Sequence, residues 1–205
     1  MSELRCAWQL LVFMFSAEVV LLLMPVAQRG QTAVTSLSEQ TGVSAVDCMQ
    51  LDVSSLQSVR DFADAYLSTG RPLHVLICNA GMMMGPKRES VDGFDLQFAT
   101  NYLGHFLLCN LLEDLLRRSA PARVISVSSI AARFGNIDFS DLQHSKGEYN
   151  SQAAYSTSKV AQLVFAREFA EKLKGSGVTS NCLERVYFLP RDSVFVTNLM
   201  LQLAL

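Results

Sequence analysis

Two short apolar runs, each followed at once by polar residues, constrain the fold of this chain more than any other feature. Residues 73–78 (LHVLIC) and 123–127 (RVISV) are typical of strands that are buried on both faces of a sheet. Apolar residues at helical spacing occupy 56–67, 94–116 and 153–173. Strands that alternate with helices predict βαβ units, and therefore a parallel sheet covered by helices on both faces.

Local signals place further elements of this α/β chain. A strand is predicted at 43–52, and the serines at 54–55 can cap the helix that follows it. Residues 94–116 are predicted to form one long helix, with small breaks at Asn101 and Gly104.

Composition narrows the classes of function. A chain of 205 residues, half of them hydrophobic, suffices for one domain with a sizeable core. The net charge is −2 and no block of five like charges occurs, which argues against a nucleic-acid surface. The five cysteines are scattered without CxxC spacing, so we expect reduced thiols rather than a zinc or other metal site or a disulfide framework.

The N-terminal segment differs from the rest of the chain. Residues 8–26 carry a single charge, Glu18, and their number is close to the length of a bilayer span. Three interpretations stay open: a membrane anchor, a cleaved signal peptide, or a buried segment. We expect the segment to form an apolar helix or strand outside the regular sheet. The location is accordingly left open between a membrane such as the endoplasmic reticulum and the cytoplasm.

Polar residues follow three of the predicted strands. They are Asp52, residues 79–81 (Asn-Ala-Gly) and residues 128–129 (Ser-Ser). Ligands of open α/β sheets bind outside the carboxyl ends of the strands. These positions therefore form the candidate site on topology alone.

Tyr155 and Lys159 carry the chemistry that such a site could use. They lie four residues apart at the start of a predicted helix, so they share one face. A phenol has an ordinary pKa near 10, and a neighbouring ammonium group lowers it. The pair would then donate or accept a proton at an alcohol or carbonyl oxygen. The alternative is a solvated Tyr–Lys pair without function.

Four motifs occur in order along the chain, at residues 79–81 (NAG), 101–106 (NYLGHF), 126–129 (SVSS) and 155–159 (YSTSK). In these motifs the chain resembles the short-chain dehydrogenase/reductase family. Residues 165–172 and the loop residues 137–142 are similar to its retinol-dehydrogenase-like branch. The resemblance covers roughly residues 43–181. It implies a Rossmann-type doubly wound parallel sheet.

The resemblance also implies a role for individual residues. Tyr155 corresponds to the general acid/base, and Lys159 to the lysine that binds the nicotinamide ribose and lowers the tyrosine pKa. Ser129 corresponds to the hydroxyl that orients the substrate, and Asn101 to the asparagine of a proton relay. Cofactor-lining positions are Asp52, Val53, Asn79, Ala80, Gly81, Asn101, Tyr155 and Lys159. We expect Ser129, Tyr155 and Lys159 to converge, Ser128 to be structural, and His105 to pack or hydrogen-bond within its helix.

The chain departs from the family pattern near both ends. The family's glycine-rich turn, TGxxxGxG, is absent from residues 1–50, where the only glycines are Gly30 and Gly42. No Pro-Gly turn follows Asn181. We therefore expect an incomplete sheet, truncated at both ends, with the first βαβ unit and the C-terminal strands missing or replaced. The expected division is a divergent apolar segment at 1–34, the dehydrogenase core at 35–181 and a divergent tail at 182–205.

Two functions follow as alternatives. The first is an NAD- or NADP-dependent oxidoreductase that transfers hydride to or from an alcohol or carbonyl substrate, with retinoids or lipids as candidate substrates. The second is a truncated, inactive splice product or gene-model fragment that acts at most as a binding or dimerisation module. The helices at 94–116 and 153–173 would then join two copies of the chain.

Overall fold

A six-stranded sheet with the order β3-β2-β1-β4-β5-β6 organises the part of the chain that the structure describes. The structure is a computed structural model, and it describes residues 12–15, 20–24, 34–35, 38–39, 46–83 and 85–185. The strands are β1 (Val12–Phe15), β2 (Val20–Met24), β3 (Val46–Gln50), β4 (Val75–Cys78), β5 (Ala122–Ser129) and β6 (Val178–Arg185).

Five α-helices accompany the sheet in the described part of the chain. They are α1 (Leu56–Ser68), α2 (Leu96–Phe98), α3 (Gly104–Leu111), α4 (Glu113–Arg118) and α5 (Ser151–Lys172). A π-helix at Ala99–Leu103 joins α2 to α3, and a 3-10 helix at Ile130–Phe134 follows β5. Short helical pieces also occupy residues 34–35 and 38–39.

Strand direction confirms the Rossmann-type sheet and reveals its one exception. The pairs β2–β3, β4–β5 and β5–β6 are parallel, as the alternating pattern predicted. Strand β1 is antiparallel to both of its neighbours, β2 and β4. The first βαβ unit is thus replaced by two adjacent antiparallel strands, with only residues 16–19 between them.

The prediction that residues 8–26 lie outside the sheet is wrong, because the segment supplies β1 and β2 in its middle. Met14 and Leu23 are fully buried and belong to the hydrophobic core. The reason lies in the pattern: two apolar runs of strand length in close succession resemble one membrane-length run when periodicity alone is considered. Among the described residues, no helix is both long enough and apolar enough to cross a bilayer.

Helix α1 forms as its sequence predicts. Ser55 is the N-cap residue, and its side chain accepts a hydrogen bond from the backbone N–H of Ser58 at 3.3 Å. The apolar face of the helix buries Val59, Phe62 and Tyr66 in the core. Capping and amphipathic spacing therefore suffice to define this element.

The helix predicted at 94–116 is interrupted twice, and the first interruption falls where small breaks were predicted, at Asn101 and Gly104. The first interruption is the π-helix, in which the Gly104 N–H donates to the Ala99 carbonyl five residues earlier. The second is at Leu112, whose φ of −98° and ψ of 4° separate α3 from α4. Apolar spacing alone does not identify the extra residue of such a turn, and π-helical turns of this kind are frequent at functional sites.

The C-terminal strand runs past the predicted boundary at 181. Strand β6 pairs with β5 over its whole length, from Val178 opposite Ala122 to Arg185 opposite Ser129. The division of the chain into 1–34, 35–181 and 182–205 stays a prediction, and residues 186–205 lie outside the described residues.

Gly104 is the position where two elements approach most closely. A Cβ atom at this residue would lie 2.0 Å from the carbonyl oxygen of Val53 and 2.9 Å from its Cβ. The start of α3 therefore packs directly on the backbone that follows β3. Only glycine allows this contact, which ties the candidate site's helix to the sheet.

We expect Gly104→Ala to destabilise the protein by about 3 kcal/mol or more, because a backbone carbonyl cannot give way as a side-chain tip can. Alanine's better helix propensity, worth at most about 1 kcal/mol, is too small to offset the clash. Urea denaturation measures the change. Gly85→Ala is the control, since its Cβ would meet nothing within 4 Å. Equal stabilities of the two variants would contradict the close approach.

Candidate active site

Lys159 is a buried ammonium group on α5 that the protein itself holds in place. The helix begins after Asn150, whose side chain accepts hydrogen bonds from the backbone N–H groups of Gln152 and Ala153. The Lys159 side chain is 5% exposed. Its Nζ donates to the Val127 carbonyl at 3.0 Å and to Gln162 Oε1 at 2.8 Å. A charge can remain buried in this way because acceptors replace its water.

Tyr155 lies one helical turn before Lys159 and is equally buried. Its side chain is 6% exposed, and the Lys159 Nζ lies 5.7 Å from the centre of its ring. The predicted shared face is confirmed, and the interpretation as a solvated surface pair is wrong. A positive charge this close to a phenol opposes the cost that burial places on a phenolate.

Asn101 joins the turn after β4 to the YSTSK motif through its side chain. Its Oδ1 accepts from the Met82 N–H at 2.8 Å, and its Nδ2 donates to the Met82 carbonyl at 3.0 Å and to Ser158 Oγ at 2.9 Å. Ser158 Oγ in turn donates to the Tyr155 carbonyl at 2.6 Å. The amide is fully buried, so these hydrogen bonds fix the turn after β4 against the start of α5.

Gly81 brings the turn after β4 close to both Asn101 and Lys159. A Cβ on Gly81 would lie 3.1 Å from Asn101 Oδ1 and 3.6 Å from Lys159 Nζ. Residues 79–81 therefore line the same site, at the carboxyl end of β4. This position agrees with the topology rule, and the role of residues 79–81 in cofactor binding stays a prediction.

The two serines at the end of β5 make different contacts. Ser128 Oγ donates to the Lys159 backbone carbonyl at 2.9 Å, which agrees with the structural role expected of it. Ser129 Oγ accepts from the Ala131 N–H at 3.3 Å and caps the 3-10 helix. Both side chains are buried. The convergence of the Ser129 and Tyr155 hydroxyls stays a prediction.

Asp52 and Val53 lie just after β3, at the same edge of the sheet as residues 79–81. Asp52 Oδ1 accepts from the Ser54 N–H at 2.9 Å and from the Ser54 hydroxyl at 2.7 Å. Asp52 thus orders the turn into α1 while Ser55 caps the helix. Its predicted contact with the cofactor stays a prediction.

His105 is a neutral imidazole within the helix, as expected. Its Nδ1 lies 3.1 Å from the Asn101 carbonyl, four residues earlier, and therefore donates to it. Burial lowers the His105 pKa to about 4, and the positive charge of Lys159 adds to that effect, while the Asn101 carbonyl opposes it. The ring is a structural member of the π-helical turn that carries Asn101.

Three contact groups of the site escaped the sequence analysis: Gln162, the Val127 carbonyl and the Ser158 hydroxyl. Gln162 follows Lys159 by three residues on the same helix, so side-chain spacing gave a signal that could have found it. The Val127 carbonyl carries no signal, because every residue has one. Ser158 lies inside the YSTSK motif, but only the fold brings it to Asn101.

The site fits one half of a dinucleotide better than the other. The nicotinamide end has a buried cation, a phenol and the 79–81 turn within a few ångströms of one another. In β1, Phe13 pairs with Ile77 and Phe15 with Val75, so the carboxyl end of β1 points to the opposite edge of the sheet. A pyrophosphate turn after β1 would therefore lie at the opposite edge of the sheet from the site.

We expect His105 to make the protein less stable in acid. Its pKa is lowered on folding from 6.5 to about 4, so the folded state binds fewer protons. The contribution of the neutral imidazole to the free energy of unfolding is fully present above pH 6.5. It is lost as the pH falls through about 4, and the total loss is roughly 3 kcal/mol. His105→Asn should remove this part of the slope in urea denaturations between pH 7 and 4.

The control for that experiment is His144→Asn, which leaves His105 intact and should keep the wild-type slope. Asparagine tolerates the positive φ of 47° at residue 144. A wild-type slope in His105→Asn would show that the imidazole does not titrate as its burial implies.

Comparisons with known proteins agree with this geometry. The family model described as short chain dehydrogenase matches residues 14–189. Retinol dehydrogenase 12 of Mus musculus is 47% identical over 152 residues, which are 74% of this chain and 48% of that protein. Retinol dehydrogenase 11 of Homo sapiens is 44% identical over 153 residues, 75% of this chain and 48% of that protein.

A solved structure of an uncharacterised protein from Mycobacterium paratuberculosis has a TM-score of 0.71 at 34% identity. The match covers 85% of this chain and 61% of that one. The chain spans about half the length of the curated relatives it matches. The family match begins at residue 14, so it includes the N-terminal strands that the motifs alone did not reach. The chain belongs to the short-chain dehydrogenase family, and within that family it is similar to the retinol dehydrogenases.

Proposed function

We propose that this chain carries the catalytic part of an NAD(P)-dependent oxidoreductase that interconverts an alcohol and a carbonyl compound. The observation that carries the proposal is the buried Tyr155–Lys159 pair, with the Asn101 amide fixed beside it. Burial of an ammonium next to a phenol is energetically costly and has no evident use in packing alone. Buried titratable groups with a charged neighbour are typical of functional sites.

The chemistry of the proposal divides between cofactor and protein. The nicotinamide would supply or accept the hydride. Tyr155 would give a proton to, or take one from, the substrate oxygen. Lys159 would stabilise the phenolate and hold a ribose hydroxyl, and Ser129 would orient the substrate oxygen. Asn101 would keep the 79–81 turn and the start of α5 at a constant distance.

An apolar substrate is the class that the surroundings favour. Three large apolar side chains, Ile130, Phe134 and Phe139, follow Ser129 in the chain and are exposed; Phe134 and Phe139 are more than four-fifths exposed. Exposed apolar side chains in the segment that follows a site residue can offer a surface to an apolar ligand. Together with the similarity to retinol dehydrogenases, they support a retinoid- or lipid-like alcohol or carbonyl. Association of the chain with a membrane stays a prediction.

Weak dinucleotide binding by this chain is part of the proposal. Charge-assisted hydrogen bonds from a helix N-terminus to a pyrophosphate contribute about 1.5 to 3 kcal/mol each. A site that lacks two of them binds at least about a hundredfold more weakly, since each 1.4 kcal/mol is about tenfold. The antiparallel β1 turns its carboxyl end away from the place where those donors are needed.

The test compares this chain with a chimera. In the chimera, residues 1–45 are replaced by the strand, glycine-rich turn and helix of a retinol dehydrogenase, and that relative's sequence also follows Asn181. We expect calorimetric titration with NADH and NADPH to give at least about hundredfold tighter binding to the chimera. Only the chimera should oxidise retinol at a measurable rate, followed by absorbance at 340 nm.

Tyr155→Phe is the matched variant in the chimera. It keeps the ring and removes the hydroxyl, so kcat should fall by about 10²- to 10⁴-fold while cofactor affinity is retained. Micromolar NADH binding by the unaltered chain would contradict the expected weak binding. Undiminished turnover by Tyr155→Phe would refute the assigned chemistry.

A second candidate function, association of two copies, has its own supporting observation. Phe106 on α3 and the adjacent Leu163 and Val164 on α5 are more than two-fifths exposed. The two helices contact each other through Phe106 and Phe165, whose ring centres are 5.3 Å apart. Adjacent apolar side chains on packed helices favour a helix-to-helix interface.

We expect sedimentation velocity to detect a dimer that the double substitution Leu163→Glu with Val164→Glu dissociates, because four carboxylates would be brought together in one interface. Phe139→Glu is the control: it also replaces an exposed apolar residue, but lies in the loop before α5. A wild-type chain that sediments as a monomer at its highest soluble concentration would eliminate this function.

A further inference from the structure

Gln162 is the side chain of the site whose presence the proposed chemistry does not yet explain. It is 2% exposed, and its Oε1 accepts a hydrogen bond of 2.8 Å from the Lys159 ammonium. Its own Nε2 is buried and meets no acceptor among the described residues. The amide is thus half satisfied, and the satisfied half is the bond to Lys159.

A half-satisfied buried amide is unfavourable in an apolar interior. A buried N–H without an acceptor loses its hydration, and an apolar residue of similar shape would avoid that loss. Neighbouring buried positions on the same face of α5, such as Phe165 and Ala166, are apolar. The Oε1–Nζ bond is therefore the favourable interaction that offsets the unpaired N–H of Gln162.

The surroundings of Lys159 show what that bond does. The titratable groups near the ammonium are Tyr155, His105 and Cys182. His105 is neutral, and burial raises the pKa of the Cys182 thiol, so neither supplies a negative charge at neutral pH. Two dipoles that stabilise the charged form of Lys159 are the Val127 carbonyl and the Gln162 amide oxygen.

We propose that Gln162 is a positioning residue, which keeps the Lys159 ammonium charged and fixes it one helical turn from Tyr155. Desolvation alone would favour the neutral amine. With Oε1 in place, the nitrogen retains its positive charge and its orientation towards the end of β5. The importance for catalysis rests on the proposed oxidoreductase function, because a neutral lysine would no longer stabilise the Tyr155 phenolate.

The Lys159 pKa can be measured without cofactor or substrate. The chain has five lysines, and Lys87, Lys146, Lys172 and Lys174 are all exposed while Lys159 is buried. Lysine labelled with ¹³C at the ε carbon therefore gives one buried signal against four internal references. Lys159→Arg assigns that signal by removing it, and its chemical shift is followed as the pH is raised.

Two substitutions should move the Lys159 pKa in opposite directions. Gln162→Met keeps the length of the side chain and removes the acceptor, so the pKa should fall by about one unit. Gln162→Glu replaces the amide with a carboxylate and should raise the pKa. Gln152→Met and Gln152→Glu are matched controls on an exposed position of the same helix, and they should leave the buried signal unchanged.

The outcomes separate this inference from the proposed function. If neither Gln162 variant changes the Lys159 pKa by more than its Gln152 counterpart, Gln162 does not position the lysine. If Gln162→Met fails to fold, the upward shift in Gln162→Glu decides alone, and its absence overturns the inference. A pKa change in both variants supports the positioning role even if the chimera proves inactive, since only the oxidoreductase proposal would then fail.

Discussion

The buried charge of Lys159 is the constraint on which the rest of the site depends. An ammonium group away from water is tolerated only where the protein supplies acceptors in fixed positions. Two of its acceptors are the Val127 carbonyl, which belongs to β5, and Gln162 Oε1, which belongs to α5. The hydrogen bond to Val127 forms only when α5 is docked on the end of β5, so docking of the helix stabilises the charge. Ser128 Oγ strengthens the same junction by donating to the Lys159 carbonyl.

A second junction holds the opposite wall of the site. The π-helical turn places Asn101 so that its amide binds both polar groups of the Met82 backbone and the Ser158 hydroxyl. The contact between Gly104 and the Val53 carbonyl keeps that turn against the strand ends. If the π-helical turn were a regular α-helical turn with one residue fewer, every residue after it would be rotated by about 100° around the helix axis. The extra residue of the π-helix is thus what keeps Asn101 and the core face of α3 in register together.

Periodicity and motif order in the sequence were sufficient to predict several local elements of the fold and the site. The strands at 73–78 and 123–127, the cap at Ser55 and the shared face of Tyr155 and Lys159 all follow from local patterns. The direction of a strand and the strands that it pairs with depend on distant parts of the chain, so local patterns do not predict them. Periodicity in residues 12–24 does not distinguish two adjacent strands inside the sheet from one apolar span, because both are rich in apolar residues. Gln162 was missed for a related reason: a glutamine three residues after a lysine is ordinary on a helix surface and becomes significant only when both are buried.

In the family's sheet, the strand beside β4 usually serves both core packing and pyrophosphate binding. The antiparallel β1 separates these two requirements. The core requires only that the edge of β4 be paired and covered, and an apolar strand of either direction satisfies this through its backbone hydrogen bonds. Burial of Met14 at 0% exposure shows that this demand is met. Pyrophosphate binding requires in addition that the strand end at the edge where β4 ends, with a helix N-terminus beyond it. Strand β1 ends beside Val75, at the start of β4, so the packing of the fold and the geometry around Lys159 are retained although this strand runs opposite to the direction that phosphate binding requires.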